Sequence, residues 1–164
     1  MPRPGLRGDD IMAPRTAIKN KRLLKLDKNY VPFPANDGDE IYANGIFTFN
    51  ISKMLEIIAD GKLAAEMQPI NVIQWFKAHV KGVINEEHLP TVDAIKPVLQ
   101  AEIRPTRFEI IDGHHRIEKA YRDGIESIDS YVLKGEQLIP FFTTKQAYEA
   151  FVGYWNDKCR EDNY

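Results

Sequence analysis

The residues with the strongest chemical character form one short run, Asp112-Gly113-His114-His115-Arg116. Glycine lets the backbone approach a ligand closely. The two imidazoles supply hydrogen-bond donors, and the arginine supplies a planar cationic fork that matches phosphate oxygens. The run follows an apolar stretch and opens a helical pattern, so its backbone N–H groups belong to an unpaired first helical turn. This combination predicts an anion site, and we expect Gly113, His114, His115 and Arg116 to hold phosphate.

Asp112 has three possible roles beside that cluster. It could cap the helix, hold Mg²⁺ or act on an acceptor hydroxyl, and His114 is the second candidate for a catalytic role. The alternative for the whole run is a solvated helix start with Asp112 as its cap. Cations are disfavoured at a helix N-terminus, and a local conflict of this kind is typical of a functional site.

The elements around this run must position it. Residues 107–111 are predicted to form a strand and 112–123 a helix, with Gly124 as its stop and a further strand at 128–133. A strand–helix–strand unit of this length predicts that at least part of the sheet is parallel.

The flanking patterns predict further elements. Upstream we expect a strand at 46–49 and a helix capped by Asn50 that ends at Asp60-Gly61, and then either a helix at about 70–80, with Ile73, Phe76 and Val80 inward, or an extended segment. Residues 82–92 are predicted to form an irregular insertion, and 98–103 a strand. A final helix from Thr143 or Thr144 has an apolar stripe that predicts core packing: Ala147, Tyr148, Phe151, Val152 and Trp155.

Length and composition predict one α+β domain with a small mixed sheet and packed helices. The chain has 164 residues, 43% of them hydrophobic and 28% charged. Its charge is uneven: residues 1–28 hold eight Lys/Arg and three Asp, whereas 29–164 hold 14 Lys/Arg and 21 Asp/Glu. We therefore expect a basic flexible arm at 1–28 and a folded domain at 29–164. The acidic domain argues against a DNA-coating protein or a DNA-processing nuclease.

Two interpretations of the arm remain open. Its cations suit weak, non-specific contact with nucleic acid, and its prolines and few apolar residues suit a solvated tail. A single cysteine, Cys159, excludes an intramolecular disulfide framework and fits a reducing compartment. The chain has no apolar run of membrane-spanning length and a charged N-terminus, so we expect a cytoplasmic protein without membrane contact.

The run Phe108-Glu109-Ile110-Ile111-Asp112-Gly113-His114-His115-Arg116-Ile117-Glu118-Lys119-Ala120, followed by Gly124 and Ile128, resembles a signature of the ParB/sulfiredoxin superfamily. That signature is an apolar strand, a Gly-x-x-Arg turn, a helix, and a glycine before the next strand. The resemblance is closest over about residues 98–133, and it implies that the turn holds nucleotide phosphates.

Details of the turn indicate which branch of the superfamily is most similar. Sulfiredoxins have a catalytic cysteine where this chain has His114, and ParB partition proteins usually have Glu-Arg-Arg after the glycine and bind CTP. The arginine box of ParB and a downstream helix-turn-helix segment are absent from the sequence. The form seen here is more similar to the free-serine kinases, whose catalytic glutamate corresponds by position to Glu40 or Glu56.

The resemblance implies a nucleotide-binding domain that uses a nucleoside di- or triphosphate (ATP, ADP or CTP) with Mg²⁺. We expect a phosphotransferase or phosphohydrolase acting on a small-molecule substrate, with Asp112 as the metal ligand. The alternative is a non-catalytic ParB-like accessory protein that binds nucleotide, DNA or a protein partner.

Overall fold

The computed structural model describes residues 22–45, 47–93 and 95–161. Within them the chain forms six strands and five α-helices. The strands are β1 (Ile41–Asn44), β2 (Phe47–Asn50), β3 (Glu66–Asn71), β4 (Val98–Arg104), β5 (Arg107–Asp112) and β6 (Ser127–Leu133). The helices are α1 (Ile51–Ala59), α2 (Val72–Ala78), α3 (His114–Arg122), α4 (Gly135–Leu138) and α5 (Lys145–Glu161).

The four longer strands form one mixed sheet in the order β3-β6-β4-β5. Strand β4 pairs parallel with β6 and antiparallel with β5, and β3 pairs antiparallel with β6. The predicted α+β class with a small mixed sheet is therefore confirmed. The parallel pair, however, is not made by the two strands that flank α3. The β4–β5 hairpin reverses the chain first, and α3 then carries it over β4, so β5 and β6 lie on opposite sides of β4.

Both faces of the sheet are covered, which explains why β4 is buried from Val98 to Ile103. One face packs against α5, and the predicted apolar stripe of that helix is confirmed as core, with Trp155 fully buried. The other face packs against α2 and α3 in a smaller cluster around Val98 and Ile117. Because β5 runs between these two cores, its carboxyl end at Asp112 has a fixed position.

The first turn of α1 fixes the backbone at Glu40, the residue that precedes the short β1–β2 hairpin. The Glu40 carbonyl accepts a hydrogen bond from the Ile51 N–H at 2.9 Å, and the Glu40 N–H donates to Ser52 Oγ at 2.7 Å. The Asn50 side chain accepts from the Lys53 N–H at 3.0 Å, which confirms the predicted cap of α1. The first turn of α1 therefore holds the backbone of Glu40 in place.

The region 66–80 combines the two alternatives expected for residues 70–80, because a strand extends into it and a shorter helix follows. Strand β3 continues to Asn71, whose side chain caps α2 by accepting from the Gln74 N–H at 3.0 Å. Ile73 and Val80, predicted to face inward, are 56% and 95% exposed, whereas Phe76 packs against the smaller core cluster. The helix ends at Ala78, so Val80 lies beyond it and cannot share a helical face with Phe76.

The last residues of the predicted arm are attached to the domain. The Arg22 carbonyl accepts a hydrogen bond from Trp155 Nε1 at 2.8 Å, and the backbone of Leu24 exchanges two hydrogen bonds with the Asn156 side chain, at 2.7 and 2.9 Å. Residues 22–24 are half-buried against α5. The rest of the predicted flexible arm, residues 1–21, lies outside the described residues.

Candidate functional site

Helix α3 begins at a glycine whose backbone no other residue adopts easily. Gly113 is the N-cap of α3 and has φ 107°, in the left-handed region. A Cβ atom on Gly113 would lie 2.6 Å from Val98 Cγ1, so the close packing of α3 on β4 also requires glycine. The N-cap position belongs to Gly113, and no side chain makes a capping hydrogen bond there. Asp112 therefore does not cap the helix, which excludes one of the three roles predicted for it.

Asp112 and Arg116 form an ion pair one helical turn apart. Arg116 Nη2 donates to Asp112 Oδ2 at 2.8 Å, and Arg116 Nη1 donates to the Pro97 carbonyl. The two side chains are 16% and 13% exposed. The guanidinium predicted to hold phosphate therefore links the end of β5 to the residue before β4. This arrangement favours a structural role for Arg116 in the ligand-free chain.

A cleft of about 590 Å³ opens over the start of α3. Its lining includes both predicted residues and residues from distant parts of the chain: Glu40, Val83, His88, Lys96, and the whole run from Asp112 to Arg116. A volume of this size is typical of small-molecule sites. The structure thus brings the five predicted residues together in one concave surface.

Glu40 is a second carboxylate that lines the cleft with Asp112. The Glu40 residue remains exposed overall, but partial desolvation raises the pKa of its carboxyl, the charge of Asp112 raises it further, and Arg116 partly offsets this. Of the two glutamates expected from the resemblance, Glu40 lines the cleft. Glu56 instead pairs with Lys53 at 3.2 Å on α1 and does not line it.

His114 also lines the cleft, but its ring bonds to the backbone of Ile110 rather than to the segment 80–93. Its ring lies beside Gly82, where an added Cβ would be 3.4 Å from Nδ1. Although the residue is exposed, partial desolvation lowers the pKa of its imidazole, and His115 lowers it further, while Asp112 partly opposes both. His114 is therefore suited to act as a neutral hydrogen-bonding group beside the start of α3.

His115 makes a contact that the sequence did not predict. Its Nε2 accepts a hydrogen bond from the Asn85 N–H at 3.0 Å, and its ring meets that of His88 edge-on at 5.0 Å. Nε2 is thus occupied as an acceptor and cannot also donate to phosphate. His115 holds the segment 80–93, which contains the insertion predicted at 82–92, against the start of α3.

The same helix fixes the rest of the segment 80–93. Lys119 donates to the Val92 carbonyl at 3.0 Å, and Arg122 makes two bonds to Glu86 at 2.6 and 2.8 Å. The predicted irregular segment is present, with one 3₁₀ turn at Leu89–Thr91. The spacing of His115, Lys119 and Arg122 along one helical face could have indicated this contact, but the sequence does not name the segment that they hold.

Lys96 is a cation of the cleft that the sequence did not single out. It lines the cleft and is exposed, and its ammonium makes no ion pair or hydrogen bond with the part of the chain that the structure describes. It immediately precedes Pro97, whose carbonyl receives Arg116. Lys96 is therefore available to an anion where Arg116 is not.

Metal binding by protein ligands alone finds no support in the described ranges. Within residues 22–45, 47–93 and 95–161, no group of three or more His, Cys, Asp or Glu could hold a metal ion. Asp112 Oδ2 is occupied by Arg116, and Oδ1 accepts no hydrogen bond from these residues. Magnesium binding at Asp112 stays a prediction. A bound phosphate and water would supply most of the ligands of such an ion.

Comparison with protein-family models, curated proteins and solved structures gives no match to this chain. The resemblance to the ParB/sulfiredoxin superfamily thus depends on the residues of the turn and on the elements around it. Over the residues that the structure describes, no helix has both the length and the apolar character needed to cross a membrane.

Proposed function

We propose that the chain is a nucleotide-binding domain of the ParB/sulfiredoxin type, and that it transfers or hydrolyses a phosphoryl group on a small substrate. The observation that carries this proposal is that Glu40 and Asp112 both line the cleft that also contains the first turn of α3. The sequence separates these residues by about 70 positions, and the fold brings them to one concave surface.

The phosphates would bind at the first turn of α3. The backbone N–H groups of His114 and His115 point out of this turn, and Gly113 places no side chain in front of them. Lys96 adds a cation that has no partner among the described residues, and His114 adds a polar side chain to the same cleft. These groups replace the role that the sequence assigned to Arg116, which instead fixes the end of β5.

Glu40 is suited to general-base chemistry. A raised pKa brings a carboxyl closer to neutral pH, where it accepts a proton more effectively. Glu40 would take the proton of an acceptor hydroxyl or water while that oxygen attacks the terminal phosphorus and the nucleoside diphosphate leaves. The protein contributes mainly position and charge to such a reaction. Asp112, through Oδ1, would hold a Mg²⁺ ion that neutralises the phosphates.

A second candidate, a nucleotide-binding accessory protein without turnover, is favoured by one contact. Arg116 is committed to Asp112 and the Pro97 carbonyl, so it is withheld from the charge that develops during phosphoryl transfer. Such a protein would bind nucleotide in the same cleft, and the segment 80–93 or the basic arm would engage a protein or nucleic acid.

The test is a thermal-shift and calorimetric screen with ATP, ADP, CTP and GTP, with and without Mg²⁺. A ligand that binds only the folded state raises the melting temperature. We expect at least one nucleotide to stabilise the chain. Lys96→Ala should lower the affinity for that nucleotide about tenfold or more, because a charge-assisted contact is lost. Lys62→Ala, at an exposed lysine just after α1, is the matched control. Absence of stabilisation by all four nucleotides would contradict nucleotide binding.

Labelled nucleotide then separates the two candidates. Release or transfer of phosphate that is lost in Glu40→Gln supports the enzyme, and tight binding with no turnover in a panel of small hydroxyl acceptors supports the accessory protein.

A further inference from the structure

A second concave surface lies at the turn end of the β4–β5 hairpin. We name it the arginine hollow; it measures about 400 Å³, and its polar lining consists of Tyr42, Asn44, Arg104, Arg107, Glu109 and Tyr154. It lies along the same β1 and β5 segments as the cleft but toward their other ends. None of these six residues lines the cleft.

Two arginines lie side by side in the arginine hollow without an ion-pair partner among the described residues. Arg104 and Arg107 are partners in the β4–β5 register, where like charges repel. Neither guanidinium makes an ion pair or hydrogen bond with any residue among 22–45, 47–93 and 95–161, and Arg104 Nε is buried without an acceptor. A buried donor left without a partner is costly, so the ligand-free arrangement is unfavourable by itself.

The turn that joins the two arginines is also strained. Thr106 has φ 68°, a left-handed conformation that is rare for a β-branched residue. It is held there because its N–H donates to the buried Glu102 carboxylate at 2.8 Å. Strain of this kind persists where the surrounding structure imposes it, and it is concentrated at functional sites. The fold thus holds Arg104 and Arg107 side by side against both strain and charge repulsion.

The charges of the hollow indicate the class of ligand. Two arginines and Glu109 leave one net positive charge, which one negative charge would balance. A phosphate dianion would instead leave the hollow with a net negative charge. Arginine forks match the planar carboxylate group, and the hydroxyls of Tyr42 and Tyr154 can donate to its remaining lone pairs.

We propose that the arginine hollow binds a small monocarboxylate between Arg104 and Arg107. This site does not depend on the proposed nucleotide site, because no residue is shared and no phosphate is involved. The carboxylate of the ligand would accept a hydrogen bond from the unpaired Nε–H of Arg104 and would lie between the two guanidinium charges.

The experiment titrates the ¹⁵N-labelled full chain with sodium benzoate, sodium acetate and inorganic phosphate at constant ionic strength. The arginine Nε–H cross-peaks are followed by NMR and assigned from Arg104→Gln and Arg107→Gln. We expect saturable shifts of both cross-peaks with benzoate and acetate, and an affinity lowered about tenfold or more in Arg107→Gln. Arg160→Gln, at an exposed arginine of α5, should bind benzoate as the wild type does.

Ligand-free stability separates a binding role from a structural one. Because Arg107 is exposed and faces a like charge, Arg107→Gln should melt at the wild-type temperature or above it, and this variant carries the test if Arg104→Gln does not fold. A lower melting temperature of Arg107→Gln with unchanged benzoate binding would overturn the proposal. Non-saturating shifts, or tighter binding of phosphate than of either carboxylate, would also overturn it.

Discussion

Glu102 and Glu40 are two carboxylates whose pKa values are shifted in opposite directions by their surroundings. Glu102 is 1% exposed and accepts four hydrogen bonds: two from Arg22, one from the Thr106 N–H and one from the Gly135 N–H. Burial acts to raise its pKa, but these bonds together hold the pKa below its usual range. The Glu40 carboxylate accepts no hydrogen bond from the described residues, and its pKa is raised.

The difference teaches how to separate a structural acid from a candidate functional one. Where every lone pair of a buried carboxylate meets a donor, the charged form is stabilised and the group joins elements together. Glu102 joins the N-terminal segment, the β4–β5 turn and α4 in this way. Where a carboxylate is partly desolvated beside another acid and lacks donors, its proton affinity rises, as required of a base.

Removing the charge of Glu102 should have the largest effect on stability. Glu102→Gln keeps the shape but faces Arg22 and two backbone N–H groups with a neutral amide. Breaking a buried ion pair at one partner typically costs about 3–5 kcal/mol. We expect a loss of that order in the free energy of unfolding, measured by urea denaturation. A loss below about 1 kcal/mol would contradict the structural role.

Gly113→Ala should have the next largest effect. The added Cβ meets Val98 at 2.6 Å, and the residue must keep a left-handed φ. Overpacking costs about 1–3 kcal/mol and the backbone conformation about 1–2 kcal/mol more. Gly61→Ala, with φ 73° and open space for a Cβ, is a matched control that isolates the backbone contribution. Equal losses of stability in the two variants would show that the contact with Val98 adds nothing to the cost of the Gly113→Ala substitution.

Arg116→Ala should lower the stability of the ligand-free protein by about 1–3 kcal/mol, because Asp112 and the Pro97 carbonyl both lose a partly buried donor. Arg116→Lys should recover only part of this loss, since an ammonium cannot span both acceptors in the same way. Denaturation and nucleotide affinity should be measured on both variants. Unchanged stability with lost affinity would return Arg116 to the phosphate-binding role.

The two glutamates should also give opposite pH dependences. The folded-state pKa of Glu102 is lowered, so its contribution is complete above the ordinary glutamate pKa and is lost as pH falls through the folded value. The deficit of Glu102→Gln should therefore shrink below about pH 5. For Glu40 the pKa is raised, so Glu40→Gln should gain on the wild type as pH rises through that value. Parallel stability curves from pH 3 to 8 would contradict both assignments.

Local patterns predicted the elements that depend on local chemistry. The strand before Asp112, the helix after it, the cap at Asn50 and the apolar stripe of α5 all follow from caps and periodicity within a few residues. The five residues of the turn all line one cleft, and the anion site predicted there stays a prediction. Such features need no knowledge of distant contacts.

Features that depend on distant contacts were missed. Strand β3 has the sequence EMQPIN, with Pro69 and polar residues, and it is tolerated because β3 lies at the edge of the sheet. The roles of His115 and Arg116 depend on Asn85 and Pro97, which approach only in the folded chain. Short-range patterns indicate which residues are chemically capable, but not which of them the fold leaves free.

The most direct test of the central claim compares phosphoryl turnover and nucleotide affinity in the wild type and Glu40→Gln. If Glu40 is the base of the cleft, Glu40→Gln should keep its stability and bind nucleotide within about threefold of the wild type. Its turnover should fall by about 10²–10⁴-fold, the usual contribution of a positioned base. Glu56→Gln, on α1 outside the cleft, is the matched control and should keep full turnover. Wild-type turnover in Glu40→Gln would contradict the account.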